Sequence, residues 1–146
     1  MNVARGFALF AVGIAPTLMP AQSSSDREIM RRIVREFERS GYHFDCDSCE
    51  GATPCYRYCN DLEFIRLDST LEVEFEHLLS LAPSDSARAT LDRHNSAWLI
   101  ARREQCRIPT EGWTGSLGPV LYVDCMNELT RLRIQEVTWL RDAMEN

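Results

Sequence analysis

The fold is decided by residues 61–81, DLEFIRLDSTLEVEFEHLLSL, in the middle of the chain. Their apolar side chains recur at steps of three or four, at Phe64, Leu67, Leu71, Phe75 and Leu78. This spacing places side chains on one face of an α-helix. The stretch therefore predicts an amphipathic helix, and Pro83 ends it because proline cannot continue the hydrogen-bond ladder.

Three further segments show helical periodicity, one before this helix and two after it. We predict helices over residues 25–39, 86–106 and 120–143. A capping box of Ser25 and Glu28 begins the first of them, and Ser84 or Asp85 caps the helix that starts near residue 86. The predicted fold class is all-α: a small antiparallel bundle of about four helices with a disulfide-stapled loop.

The first 21 residues have the layout of a secretory signal peptide. Arg5 is followed by an apolar run from Phe7 to Leu18 and by a short stretch that ends at Ala21. The run is shorter than the ~20 residues that a membrane-spanning helix needs. We predict that residues 1–21 are a signal peptide, that residues 22–146 form a single periplasmic or secreted domain, and that no stable membrane anchor remains after cleavage.

The chain is acidic, with a formal net charge of −6 at neutral pH. Removal of residues 1–21 would take away one arginine and no acid, so the remaining domain would be more negative still. Nucleic-acid binding depends on cations that neutralise phosphates, and the balance here disfavours it. An acidic surface instead favours a cationic protein partner through electrostatic steering.

Six cysteines follow the predicted signal peptide, and an even number in an exported domain predicts three disulfides. Cys106 and Cys125 bracket a turn-rich segment between two predicted helices, so we pair them. We predict a stapled loop over residues 41–60. Its two disulfides would be nested, with a Cys49–Cys55 bond inside a Cys46–Cys59 bond, although other pairings remain open. A zinc site of these last four thiolates is the competing interpretation, disfavoured by their close spacing and by an oxidising compartment.

Trp98, Arg102 and Cys106 stand four residues apart and therefore form a row along one helix face. We interpret the row as structural, with Trp98 in the core, Arg102 bound to a carboxylate or to carbonyls at a helix end, and Cys106 tied to the last helix. Thr130 and Arg133 are given the same structural interpretation. Asp68 is a plausible partner for one of the two arginines.

The segment from Ile108 to Pro119 is rich in glycine and proline and is predicted to be a loop. It places Glu111 close to Trp113, an aromatic residue with no helical face to bury it. Exposed loop aromatics often anchor protein partners. We therefore name Glu111 and Trp113 as the candidate partner-binding residues.

Five groups of residues, in order along the chain, resemble the LprI-like lysozyme-inhibitor family. They are Phe44-Asp45-Cys46; Cys59 with Leu62, Leu67, Asp68 and Leu71; Leu91 and Asn95 before Trp98, Arg102 and Cys106; Glu111-Gly112 with Gly115-Ser116; and Cys125 with Thr130, Arg133 and Val137. The resemblance covers residues 44–140. Asn95 departs from the glutamine usual in the family, Trp113 interrupts its glycine pair, and Cys49 and Cys55 are additional.

The resemblance implies a binding protein that inhibits lysozyme, and occlusion of the lysozyme cleft by acidic and aromatic side chains would accomplish this. The first alternative is an envelope structural or interaction protein without lysozyme activity, and the second is a small cell-wall hydrolase. The sequence contains no nucleophile elbow, phosphate-binding glycine loop or zinc-protease motif. We predict no enzyme, no catalytic residue, no cofactor and no metal.

Overall fold

The computed structural model describes residues 22–49, 51–112 and 115–146 of the chain. Four helices account for most of them: α1 Gln22–Arg39, α2 Thr53–Ser80, α3 Asp85–Arg107 and α4 Leu117–Glu145. Short 3-10 turns lie at Cys46–Ser48 and Ile108–Thr110. The described residues contain no strand, and the all-α prediction is confirmed. The predicted signal peptide, residues 1–21, lies outside them.

The helix boundaries differ from the predicted ones mainly at the N-terminal ends. Helix α2 begins at Thr53, so the second half of the predicted loop over residues 41–60 is helical. Pro54 lies in the first turn of α2, where its missing N–H costs nothing. Ser25 lies inside α1, so the predicted capping box is wrong. Ser84 caps α3 as predicted, since its hydroxyl accepts a hydrogen bond from the Ala87 amide at 3.2 Å.

Consecutive helices run antiparallel, but the most extensive interface joins α2 to α4, and these two helices are parallel. Their contacts rise together in residue number: Asn60 with Asn127, Glu63 with Arg131, Glu74 with Arg141, and His77 with Glu145. Helix α1 packs on α2, and α3 packs mainly on α4. The bundle is therefore built on a central parallel pair, α2 and α4, with α1 packed on α2, α3 packed mainly on α4, and α1 and α3 in contact with each other.

The core consists of two apolar clusters separated by polar side chains. The first cluster contains Met30, Phe64, Cys106, Val123 and Met126. The second contains Leu71, Phe75, Leu78, Leu79 and Val137. Between them, all four helices contribute buried polar residues, which we call the polar layer: Asp26, Arg27, Asp68, Arg102 and Thr130.

The turns on the side of the first cluster form what we call the stapled end of the bundle, made of residues 40–49, 51–52, 108–112 and 115–116. Because α1 and α3 end there while α2 and α4 begin there, both predicted loops lie at the same end. All three disulfides are also at this end. No helix in the described part of the chain is both long and apolar enough to cross a membrane.

Candidate functional site

Arg102 is the centre of the polar layer, and its side chain is fully buried. One guanidinium nitrogen, Nη1, donates to Asp68 Oδ1 at 3.2 Å and to the Thr130 hydroxyl at 2.8 Å. The Thr130 hydroxyl donates in turn to the Met126 carbonyl at 2.6 Å. Asp68 and Thr130 thus join α2 and α4 to the same arginine of α3.

Helix α1 completes the polar layer with Asp26 and Arg27. Asp26 Oδ2 accepts a hydrogen bond from Arg103 Nε at 2.7 Å and lies 3.6 Å from Arg102 Nη2. Arg27 Nε lies 3.5 Å from Asp68 Oδ2, while its Nη1 donates to Glu72 at 2.7 Å. Buried charges must be paired to be tolerated. These ion pairs connect α1, α2 and α3 at one level, and the Thr130 hydroxyl joins α4 to them.

Two aromatic rings lie close to the central guanidinium. The Arg102 guanidinium carbon lies 5.0 Å from the Trp98 ring centroid and 5.1 Å from that of Phe64, within the range of a cation–π contact. Trp98 also contacts Arg133, whose guanidinium donates to Glu136 and meets His94 Nδ1 at 3.3 Å. Trp98, Arg102, Thr130, Arg133 and Asp68 are therefore brought together in the interior.

Burial shifts the ionisation of the acids in this region. It raises the pKa of Asp68 and lowers the pKa of Arg102, and the ion pair between them opposes both shifts. Asp61, one turn from the first apolar cluster on α2, is fully buried and bound by Arg57 at 2.8 Å. Burial raises the pKa of Asp61 to about 6, against the opposing effect of Arg57.

The disulfides join Cys46 to Cys59, Cys49 to Cys55 and Cys106 to Cys125. These are the pairs that the sequence favoured, and no cysteine is free. Two of the bonds attach the 3-10 turn at Cys46–Ser48 to the first turns of α2. The third ties the end of α3 to the beginning of α4, across the loop that carries Glu111.

Glu111 lies exposed in that loop, after the 3-10 turn at Ile108–Thr110. Trp113, the other candidate partner-binding residue, lies outside the described residues. Gly112 and Gly115 have φ angles of 87° and 89°, in the left-handed region that favours glycine. Ile108 is 70% exposed, so this loop presents an apolar side chain close to the Glu111 carboxylate.

The other half of the stapled end carries an aromatic cluster that the sequence did not single out as a site. Tyr42 stacks on Phe44 with centroids 5.6 Å apart, while Phe37 and Tyr58 pack beneath them in edge or tilted contacts. Tyr42 is 55% exposed. Anchored by two disulfides, these rings form an aromatic surface fixed to the ends of α1 and α2.

The exposed carboxylates at or near the stapled end include three that have neither an ion pair nor a side-chain hydrogen bond in the part of the chain that the structure describes. They are Asp47 in the 3-10 turn, Glu111 in the loop and Asp124 in the second turn of α4. All three residues are exposed. The stapled end therefore combines unpaired negative charge with exposed aromatic and apolar side chains, a composition suited to binding a cationic protein surface.

Two groups of residues were not identified from the sequence, Asp26 with Arg27 and Tyr42 with Phe44. Only the first group had a detectable signal in the sequence. Asp26 and Arg27 precede Met30 by four and three residues, which places them on the buried side of α1. The capping-box assignment of Ser25 and Glu28 concealed this position. No periodic signal marks Tyr42 and Phe44, because they lie between helices and are brought together by the disulfide-linked turn.

Comparison with known proteins gives one result. A family model described as "Lysozyme inhibitor LprI" matches residues 46–137. The match runs from the first cysteine to Val137, the α4 residue of the second apolar cluster. No curated protein and no solved structure matches the chain. The matched segment contains the α2, α3 and α4 residues of the polar layer, all six cysteines and the Glu111 loop. The chain therefore belongs to the LprI lysozyme-inhibitor family.

Proposed function

We propose that the chain is an exported protein that inhibits a lysozyme by covering its substrate cleft with the stapled end. The observation that carries this proposal is the meeting of both loops at one end of the bundle, where Asp47, Glu111 and Asp124 are exposed and unpaired. Membership of a lysozyme-inhibitor family supplies the class of target. The meeting of the two loops suggests the stapled end as the surface that would bind this target.

The charge of this surface suits a cationic hydrolase. The whole chain has a formal net charge of −6, which favours approach to a positive partner. Arg57 and Arg107, which lie near the stapled end, are engaged by Asp61 and Glu104. Their charges are offset locally, whereas the three carboxylates of the end remain available for contacts.

The Glu111 loop supplies the part of the surface that would enter a cleft. Gly112 and Gly115 hold its turn, and Trp113 stands between them in the sequence. An aromatic residue beside a carboxylate can fill a groove that binds sugar rings while its neighbour pairs with a cation at the rim. The stacked Tyr42 and Phe44 would extend the contact beyond the cleft.

Two features of the chain support export. Residues 1–21 have the layout of a signal peptide. The three disulfides are of the kind that form and persist outside the cytoplasm. We therefore place the mature domain in the periplasm or the extracellular medium, where it would meet lysozyme.

The test is an inhibition assay with purified oxidised protein. Lysis of cell walls by hen-type, goose-type and endogenous lysozymes is followed by turbidity at increasing inhibitor concentration. Replacement of both Glu111 and Trp113 by alanine is expected to weaken inhibition at least about tenfold, the effect of losing one central anchor. Glu76→Gln is the matched control, because Glu76 is an exposed acid of α2 on the opposite half of the bundle.

The outcomes separate the candidate functions. Inhibition that survives the double alanine variant excludes the loop as the binding element. An absence of inhibition with every lysozyme, at micromolar excess, contradicts the proposal and leaves an envelope interaction protein. Breakdown of glycan by the protein alone would identify it as a cell-wall hydrolase.

A further inference from the structure

Four cysteine sulfurs lie together at the start of α2. Cys46 and Cys49 are three residues apart around the 3-10 turn, and Cys55 and Cys59 are four apart on one face of the helix. Each disulfide joins one cysteine of the turn to one of the helix. This nested pairing brings the sulfurs of Cys49, Cys55 and Cys59 together between the turn and the helix, and the bond to Cys59 keeps Cys46 beside them.

The spacing of these sulfurs is close to that of a metal site. The sulfurs of Cys49 and Cys59, which belong to different disulfides, are 3.6 Å apart. The sulfurs of Cys49, Cys55 and Cys59 all lie within 4.8 Å of one another, and Cys46 is bonded to Cys59. Tetrahedral zinc with four thiolates has Zn–S bonds of ~2.3 Å, which places the sulfurs about 3.8 Å apart.

We propose that Cys46, Cys49, Cys55 and Cys59 form a tetrathiolate site for a zinc-like ion when their two disulfides are reduced. Two external dithiols would each transfer two electrons and two protons to one disulfide, leaving four thiols and two oxidised dithiols. A Zn²⁺ ion then displaces the four thiol protons and binds four thiolates. The oxidised protein has no thiolate here and does not bind the ion.

The position of the site favours thiolates. Cys55 lies in the first turn of α2, where the helix N-terminus carries a partial positive charge that favours negatively charged groups. Cys55 is buried, Cys49 and Cys59 are half-buried and Cys46 is exposed, so the ion would be partly shielded from water. Metal binding would then keep the turn attached to α2 under conditions that break its cross-links.

This inference does not depend on lysozyme inhibition, and the third disulfide provides an internal control. Cys106 and Cys125 join α3 to α4, and neither belongs to the sulfur group at the start of α2. Their thiols form a single pair after reduction. The variant with Cys106→Ser and Cys125→Ser should therefore retain the metal site, whereas the variant with Cys49→Ser and Cys55→Ser should lose it.

The experiment is a cobalt(II) titration of the protein without its signal segment, reduced by a phosphine in the absence of oxygen. We expect the visible absorption of tetrahedral cobalt thiolate at one ion per chain, followed by its loss when zinc is added. The Cys49 and Cys55 double variant should bind zinc at least about 100-fold more weakly, since even outer-shell changes cost 10–100-fold. The Cys106 and Cys125 variant should match the parent.

Alkylation followed by mass spectrometry provides a readout that does not require a folded bundle. Zinc should protect Cys46, Cys49, Cys55 and Cys59 from alkylation, with no zinc-dependent change at Cys106 or Cys125. Equal protection of all six cysteines, a spectrum without tetrahedral character, or undiminished binding by the Cys49 and Cys55 variant would overturn the proposal.

Discussion

The polar layer and the stapled end use similar side chains under opposite conditions. In the polar layer, Asp68 and Arg102 are buried, paired with each other and packed against aromatic rings. At the stapled end, Glu111 and Asp47 are exposed and have no ion-pair partner, and the Tyr42 side chain is also exposed. The difference shows that burial decides whether a carboxylate and an aromatic ring hold the bundle together or remain available to a partner. The two regions should therefore respond differently to mutation.

The largest effect is expected in the polar layer. Arg102→Met should lower the free energy of unfolding by about 3–5 kcal/mol, because it leaves the buried Asp68 carboxylate without its closest partner. Urea denaturation measures this change. Arg107→Met is the control, since Arg107 is an exposed arginine one turn away, and its effect should be within about 0.5 kcal/mol. Similar losses of unfolding free energy in both variants would contradict the distinction between a buried and an exposed arginine.

The staple between α3 and α4 should have the next largest effect. Replacing both Cys106 and Cys125 by serine opens a loop of 19 residues and should cost about 3 kcal/mol on the chain-entropy estimate. The Cys49 and Cys55 double serine variant opens a separation of only 6 residues and should cost about 2 kcal/mol. Thermal or urea unfolding of both variants gives the comparison. A larger cost for the shorter loop would contradict it.

A third prediction concerns pH and Asp61. Its pKa is about 6 in the folded protein and 3.8 in the reference state, so the folded form holds the proton more tightly. Its contribution to stability is then greatest below pH 4 and decreases as pH rises to 6, by up to about 3 kcal/mol.

Asp61→Asn should remove this part of the pH dependence. The difference in unfolding free energy between parent and variant, measured from pH 4 to pH 7, isolates the contribution of Asp61 from that of the other acids. Glu76→Gln, which changes an exposed acid on the same helix, should leave the profile unchanged. A parent and an Asp61 variant with parallel profiles would exclude the effect.

The smallest change in stability is expected at the stapled end. Glu111→Gln and Asp47→Asn should each alter the free energy of unfolding by less than about 0.5 kcal/mol, because their carboxylates are exposed and unpaired. The same variants should weaken lysozyme inhibition if the stapled end is the binding surface. Loss of stability together with loss of inhibition would mean that the end is structural.

Much of the fold could be predicted because helical periodicity reports which face of a segment is apolar. The predicted α3 differs from the observed helix by one residue at each end. Periodicity does not report which helix a face will meet, and the parallel packing of α2 on α4 could not be derived from it. The early start of α2 was missed because Cys55 and Cys59 stand in a stretch whose composition is typical of a loop.

The polar layer could be predicted in part. Arg102 and Asp68 were expected to be structural, and the structure joins them at 3.2 Å. Asp26 was missed because a Ser-x-x-Glu pattern suggested that α1 begins where the helix is already under way. A pattern of four residues such as Ser-x-x-Glu can occur by chance. The partner of a buried charge, in contrast, depends on residues that are far away in the chain.

The position of the polar layer between two apolar clusters also determines the register of the bundle. Apolar side chains are interchangeable enough that a helix could slide by one turn, about 5.4 Å, and still bury them. Such a slip would move Arg102 into one of the clusters and leave Asp68 without its closest cation. The four helices therefore have one register in which their polar side chains meet, with one residue from each helix: Asp26, Asp68, Arg102 and Thr130.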